Sequence, residues 1–284
     1  MTATEPGKLF IVSTPIGNLD DITPRALNTL KSVDLVAAED TRHTSKLFHH
    51  FGIQTPIISL HEHNEGERSH KIVERLETGQ QVALVSDAGT PLVSDPGYFL
   101  VSSVAKKGIE IVPVVGACAL IAALSVSGLS TDRFTFEGFL PAKTSQRKKK
   151  LDLLAKETRT LIFYESKHRL SDCLSDMSEV FDSERLAVLC RELTKAYETV
   201  YRGTLKNLWQ LSAEGSGLKG EFVIVVQGFV EPEPSENTID DEALQWLSCL
   251  VKELPVKKAA SIVASRTIYS KNQLYKLALE RFNP

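Results

Sequence analysis

Five short segments of this 284-residue chain gather residue types that can do chemistry. They are Thr14-Pro15-Ile16-Gly17-Asn18-Leu19-Asp20-Asp21, Glu39-Asp40-Thr41-Arg42, His61-Glu62-His63-Asn64-Glu65, the run Ser86-Asp87-Ala88-Gly89-Thr90-Pro91 with its continuation to Asp95-Pro96-Gly97, and Val115-Gly116-Ala117-Cys118-Ala119. All but the last carry carboxylates. Neither G-x-G-x-x-G nor G-x-x-x-x-G-K-[ST] occurs, so the glycine-lined cradle that pyrophosphates and triphosphates require is missing. Carboxylates for ribose hydroxyls, apolar walls for an adenine and backbone carbonyls near a positive centre suit an adenosine joined to a cationic group. S-adenosylmethionine has that chemistry.

Each segment also has a plainer reading. Asp87 can cap the turn through Ala88, Gly89 and Thr90 instead of facing a ligand. Glu39 to Arg42 can be a helix start, with acids at its positive end and an Arg pairing locally. His61 and His63 alternate and share one side of an extended segment, but no third ligand stands at metal-site spacing, so no metal is expected. The run Arg147-Lys148-Lys149-Lys150, with Lys143 before it, reads either as a solvated helix face or as a phosphate contact. The same two readings apply to Lys257, Lys258, Arg266, Lys271, Lys276 and Arg281 near the C-terminus.

The elements that would position these segments alternate in type. Apolar runs at Leu9 to Ser13, Asp34 to Ala38, Pro56 to Leu60, Gln81 to Ser86 and Ile109 to Val114 are separated by helix-like stretches, which predicts βαβ units and a mainly parallel five-stranded sheet. In such a sheet ligands bind beyond the carboxyl ends of the strands, where all five segments fall. Thr23-Pro24 and Asp95-Pro96 read as helix starts, and Gly79, Gly108 and Gly128 as helix ends. The pattern resumes with strands at Phe134 to Phe139, Thr160 to Tyr164, Leu186 to Arg191, Tyr197 to Thr204 and Glu221 to Gln227, and helices near 145 to 156, 166 to 180 and 205 to 212. The expected organisation is an α/β domain over 1–128, a second α/β domain over 129–229, an acidic proline-bearing linker over 230–239, and a helical domain over 240–284 with helices at Pro255 to Arg266 and Lys271 to Arg281.

With 42% hydrophobic and 24% charged residues the composition is that of an ordinary globular protein, and no apolar run approaches the roughly 20 residues of a membrane span. No secretory signal is readable at the N-terminus, so a cytoplasmic location is expected. Cys118, Cys173, Cys190 and Cys249 lie far apart and read as reduced residues. A net charge of -3 gives no global basic field, so any nucleic-acid contact must come from local patches.

Several strings together, Val12 to Thr23, Ala38-Glu39-Asp40-Thr41-Arg42, Ser86 to Pro91, Phe163-Tyr164-Glu165-Ser166 and Lys219-Gly220-Glu221, resemble the tetrapyrrole methylase family, in its branch that acts on bacterial ribosomal RNA. The resemblance runs from about Lys8 to about Gly228, with further similarity in the C-terminal helices. It implies two α/β domains of tetrapyrrole-methylase type plus a small C-terminal helical domain. It also implies a homodimer that binds S-adenosylmethionine between the domains and methylates the ribose 2′-oxygen of a cytidine in the decoding region of 16S rRNA. The partner would be that RNA or the small ribosomal subunit. Carried over by position, the donor would meet Pro15, Gly17, Asp87, Ala88, Gly89, Thr90, Gly116, Cys118, Ala119, Phe163, Tyr164, Gly220 and Glu221. Three positions depart from the family's pattern. Ala117 and Lys167 stand where proline is common, and Ile268 where the C-terminal turn often has glycine. A β-branched residue resists positive φ, so that turn must differ or strain.

A ribose hydroxyl is a weak nucleophile, and a cleft-facing carboxylate or histidine must take its proton. Glu165, Glu39 and His61 are the expected bases. Arg42, Lys143, Arg147, Arg191, Lys257 and Lys258 are the expected RNA contacts. A methylase of a small tetrapyrrole and a non-catalytic ribosome-binding protein of the same fold are the alternatives.

Overall fold

The computed structural model describes residues 5–214, 218–231 and 239–282. Its first compact unit spans Met1–Phe229 and holds two five-stranded sheets. The first is built from β1 (Leu9–Val12), β2 (Leu35–Ala38), β3 (Ile57–Ser59), β4 (Val82–Val85) and β5 (Ile111–Val114), all parallel, in the order β3-β2-β4-β1-β5. Every residue of β2 and β4 is buried, as expected where helices cover both faces and the strands read as unbroken apolar runs. Because β4 inserts between β2 and β1, the chain leaves three adjacent strands at the carboxyl edge, and the loops after β1, β2 and β4 meet there.

The helices follow their start and stop signals with one exception. Thr23 caps α1 (Pro24–Ser32) by accepting from the Ala26 N–H, and Asp40 caps α2 (Thr41–Phe51) by accepting from the Arg42 N–H. After α3 (Glu65–Glu77), helix α4 (Tyr98–Lys106) does not open at Asp95-Pro96: its cap is Gly97, and its first N–H groups are satisfied from outside, by Glu65 Oε1 accepting from Gly97 and Phe99 at 3.1 and 2.7 Å. Asp95 is thereby released from capping.

The second sheet contains β6 (Phe134–Phe139), β7 (Thr160–Ser166), β8 (Leu186–Arg191), β9 (Thr199–Thr204) and β10 (Glu221–Val226) in the order β6-β7-β10-β8-β9. Only β6 and β7 run parallel; the other neighbours are antiparallel, so this sheet is mixed. One face carries Leu161, Phe163, Leu189 and Ile224 into a core with α6 (Thr144–Leu154), α7 (Leu170–Val180) and α8 (Leu205–Glu214). The opposite face, with Ile162, Val188, Val223 and Val225, packs on Leu120, Ala123 and Leu124 of α5 (Ala119–Ser127). Helix α5 precedes the expected boundary at 128 yet covers the second sheet. The two halves therefore share a core, and the chain from Met1 to Phe229 forms one compact unit.

Within the second unit, α9 (Asp241–Leu250), α10 (Val256–Ala264) and α11 (Lys271–Phe282) enclose a core of Ala243, Leu247, Ala260, Val263 and Leu274. The Tyr269 hydroxyl ties its start together, donating to Asp240 Oδ2 at 3.0 Å and accepting from the Asp240 N–H at 3.1 Å. Ile268 is exposed and is not among the residues with positive φ, so the turn accommodates a β-branched residue without left-handed strain. Of the linker expected over 230–239, residues 232–238 lie outside the described residues. Among the described residues no helix is long and apolar enough to cross a membrane.

Candidate functional site

The loops at the carboxyl edge of the first sheet are laced together by main-chain bonds. Thr14 and Gly89 form an isolated antiparallel bridge, with the Thr14 N–H donating to Gly89 O at 2.9 Å and the Gly89 N–H to Thr14 O at 3.1 Å. Thr90 Oγ1 lies 2.9 Å from Ser13 Oγ and donates to Ala117 O at 3.0 Å, joining the loops after β1, β4 and β5. Two glycines permit this approach. Gly89 has φ +82°, and at Gly116 a Cβ would stand 2.8 Å from the Ser13 Cβ. Leu92 and Ser94, in the same loop, hold φ of 72° and 70°, a costly conformation for residues with side chains and one that clusters at functional sites.

These loops roof a cavity of about 370 Å³ whose other wall is the second sheet. Its apolar surfaces come from Ile16, Val93, Cys118, Leu193, Phe139 and Tyr164; its carboxylates are Glu39, Asp87, Asp95, Glu165 and Glu221. Tyr164 spans the halves, its hydroxyl accepting from the Leu120 N–H at 3.1 Å, and burial raises its pKa. Asp87 Oδ1 accepts from the Asp40 N–H at 3.0 Å and so fixes the loop after β4 against the loop after β2.

Among them Glu39, Asp87 and Asp95 repel one another. Burial is the main cause of a raised Glu39 pKa, reinforced by the charge of Asp87 and opposed by the Asp87 N–H. Asp95 is pushed up to about 6, first by burial and then by Glu39 and Asp87, against a hydrogen bond with the Ser86 side chain. Asp40, by contrast, is held well below the usual carboxylate range by Arg42, whose guanidinium bonds it at 2.6 Å. A cleft with crowded acids and apolar walls suits an organic cation.

A second cavity of about 320 Å³ abuts the first. Ile16, Asp87, Ala88, Lys195 and Glu221 line both, while Gly17, Leu19, His43, Lys46 and Leu47 line only the second. Among the described residues no cluster of His, Cys, Asp and Glu is arranged to hold a metal.

Comparison with known proteins accounts for this architecture. The family described as Tetrapyrrole (Corrin/Porphyrin) Methylases matches residues 8–208, and a second family, described as RsmI C-terminal HTH domain, matches residues 237–281. The chain belongs to the tetrapyrrole methylase family. Among its relatives, ribosomal RNA small subunit methyltransferase I of Pseudomonas aeruginosa is 54% identical over 97% of this chain and 98% of its own. The protein of the same name from Haemophilus influenzae is 53% identical over 96% of each. Solved structures share the fold at lower identity. Diphthine synthase superposes with a TM-score of 0.60 at 18% identity over 79% of this chain and 92% of its own. Uroporphyrin-III-C-methyltransferase from Thermus thermophilus gives 0.54 at 21% over 78% and 94%.

The residues expected to meet a donor converge only in part. Asp87, Ala88, Gly89, Thr90, Cys118, Ala119, Tyr164 and Glu221 line the first cavity, and Pro15 and Gly17 line the second. Gly116 and Gly220 line neither and act through the backbone; Gly220 has φ +118° and packs on the Glu192 carboxylate, where a Cβ would collide at 2.4 Å. Phe163 is a correction. Strand alternation turns its side chain into the fully buried core on the far face of the sheet, away from Tyr164.

The expected bases also separate. Glu39 faces the cleft. Glu165 also lines the first cavity, with its side chain fully buried, paired with Arg169 at 3.2 Å and accepting from the Ser166 N–H at 2.8 Å. His61 lines neither cavity; its Nε2 meets the Asn64 amide at 3.1 Å. Asp95, not among the expected bases, lines the cavity with Glu39 and Glu165. The pair Asp95-Pro96 reads as a helix start, but Glu65 satisfies that helix from outside, and the Asp95 carboxyl instead bonds the Ser86 side chain and lines the cavity.

The expected RNA contacts sort by exposure. Arg147 is withdrawn: at 2% exposure it is the largest fully buried side chain, bonding Asp176 at 2.6 Å and the Ala142 carbonyl at 3.1 Å. Arg191 donates to Lys219 O at 2.8 Å and pins the end of β8 to the segment before β10. Arg42, Lys143, Lys257 and Lys258 are exposed.

Proposed function

We propose that the chain transfers a methyl group from S-adenosylmethionine to the ribose 2′-oxygen of a cytidine in the decoding region of 16S rRNA. The observation that carries the donor is the first cavity, which joins crowded carboxylates to apolar walls and has no phosphate cradle. The RNA acceptor is supported by relatives at about half identity over nearly the whole chain, named for small-subunit ribosomal RNA.

The donor supplies an electrophilic methyl group on a sulfonium. Asp87 stands where ribose hydroxyls of an adenosine can be accepted, and Ile16, Val93 and Tyr164 give the apolar walls that exclude water. Main-chain lacing through Thr14, Gly89 and Thr90 keeps this floor rigid, which matters because in-line displacement tolerates little misalignment. Asp95 accepts the proton of the attacking hydroxyl, with Glu39 beside it holding the local charge negative. A general base with a pKa near 6 is well matched to neutral pH, since it is ionised and still basic enough to take the proton.

The homodimer belongs to this reading. Tyr98, 77% exposed, and Phe99 at the start of α4 offer apolar surface that a second copy would cover. The deciding experiment incubates the chain with tritiated S-adenosylmethionine and, separately, small subunits, naked rRNA and porphyrinogens, then maps the label. Label on a decoding-region cytidine ribose is expected; label on porphyrinogen alone refutes the acceptor.

A further inference from the structure

Methyl transfer needs donor and acceptor sites that share a wall, and the two cavities share one made of Ile16, Asp87, Ala88, Lys195 and Glu221. The second cavity differs in character from the first. Its own nitrogen-bearing side chains are the imidazole of His43 and the ammonium of Lys46, one turn apart on the same face of α2. Lys195 also lines it but is already engaged by Glu192 at 3.0 Å and Glu221 at 2.9 Å. No described carboxylate pairs with Lys46, so its charge is open to an anion. Leu19 and Leu47 supply apolar surface in the same cavity.

The cavity is built by contact between the halves. Glu192 and Thr194 hold φ of 50° and 65°, and from that strained segment Thr194 Oγ1 accepts from the Asn18 N–H at 3.0 Å. Gly17 lies so close to it that a Cβ would stand 2.4 Å from Lys195 Cγ. Beyond the cavity, the exposed edge of α2 carries further nitrogen-bearing side chains, Arg42, His49 and His50, and no acid occurs within the helix, though Asp40 at its cap already pairs with Arg42. A row of hydrogen-bond donors one helix long, leading from an unpaired lysine, suits a chain of phosphates.

We infer that the second cavity seats the acceptor nucleotide of an RNA strand, with Lys46 and His43 facing its phosphate and the exposed edge of α2 tracking the flanking backbone. This rests on the RNA methyl-transfer reading above. Asp87 and Ala88 then form the partition across which the methyl group passes, and Leu19 and Leu47 give the base an apolar face. Recognition of this kind is insensitive to sequence and sensitive to salt.

The test measures steady-state methylation of small subunits and calorimetric binding of S-adenosylmethionine for the wild type, Lys46→Ala, His43→Ala and Lys46→Arg. Lys46→Ala is expected to raise the KM for RNA roughly tenfold and to reduce the slope of log affinity against log salt by about 0.7 to 0.9, the contribution of one phosphate contact. Lys46→Arg restores both, and donor affinity is unchanged throughout, which also shows that the variants fold. Unchanged RNA KM and salt slope in Lys46→Ala overturn the proposal alone. A loss of donor affinity equal to the loss for RNA overturns it too, because the cavity would then belong to the donor. A wild type that labels porphyrinogen and no RNA overturns the reading beneath it and the proposal together.

Discussion

Asp95→Asn is the substitution that most sharply separates chemistry from stability in this cleft. Burial and the nearby charges of Glu39 and Asp87 raise the Asp95 carboxyl from 3.8 to about 6. The folded chain thus holds a proton that the unfolded chain has released, and the stability this confers is full below pH 3.8 and lost as pH rises through about 6. A gap of that size corresponds to about 3 kcal/mol in a dry site. For a carboxyl that keeps part of its hydration, about 1 to 2 kcal/mol is the sounder expectation. Asparagine removes the buried charge, so the variant should be more stable than the wild type by about that amount at pH 7.5 and no more stable at pH 4. Its turnover should fall by about 10²- to 10⁴-fold. In the wild type, kcat/KM should rise with unit slope below about pH 6 and level off above it. The same limb in kcat should sit lower, because a bound cation favours the carboxylate. Chemical denaturation at the two pH values, together with pH-rate profiles of both proteins, provides the check. A variant that keeps more than a tenth of wild-type turnover and the same acid limb refutes Asp95 as the base.

Asp87→Ala should weaken S-adenosylmethionine binding by about 1 to 3 kcal/mol, the cost of losing a charged hydrogen-bonding partner, read by calorimetry. Arg147→Ala should destabilise the chain by about 3 to 5 kcal/mol by stranding the buried Asp176, while leaving the salt dependence of RNA binding unchanged; a changed salt slope would restore Arg147 to the RNA surface. Glu165→Gln should lower the melting temperature through its lost pairing with Arg169 yet leave the pH-rate profile in place, which distinguishes a structural carboxylate from a base. Replacing Tyr98 and Phe99 by serine should shift sedimentation from dimer to monomer, and a wild type that sediments as a monomer removes the homodimer from the reading.

The first sheet was legible because a parallel strand covered on both faces must be apolar throughout, and Leu35–Ala38 and Val82–Val85 advertise that directly. The mixed pairing of the second sheet was not, since a strand's sequence does not state the direction of its neighbour. Nor could the pattern show that α5 covers the second sheet. Its mean character is apolar nearly all round, with Leu120 and Leu124 buried while Ile121 and Val126 are exposed, so periodicity gives no single face to follow.

Within the site, motif position located the loop at Ser86 to Pro91 but misjudged single side chains by one strand step or one partner. Phe163 and Tyr164 are adjacent in the strand and point to opposite faces, so a motif that spans both can supply only one to the cleft. Arg147 sits in a run with Lys148, Lys149 and Lys150, yet helical rotation buries it alone of the four, against Asp176 of α7 29 residues away, while Lys148 meets Asp176 and Glu179 of the same helix from a more exposed position. Asp95 is the instructive case. A local rule gave it a helix to cap, and a carboxylate from α3 satisfies that helix instead. Glu65 thereby frees Asp95 for the cleft, and the positive φ of Leu92 and Ser94 carries it there. Here a local capping role has been taken over by a distant residue, and that exchange is written in the fold and not in the spacing.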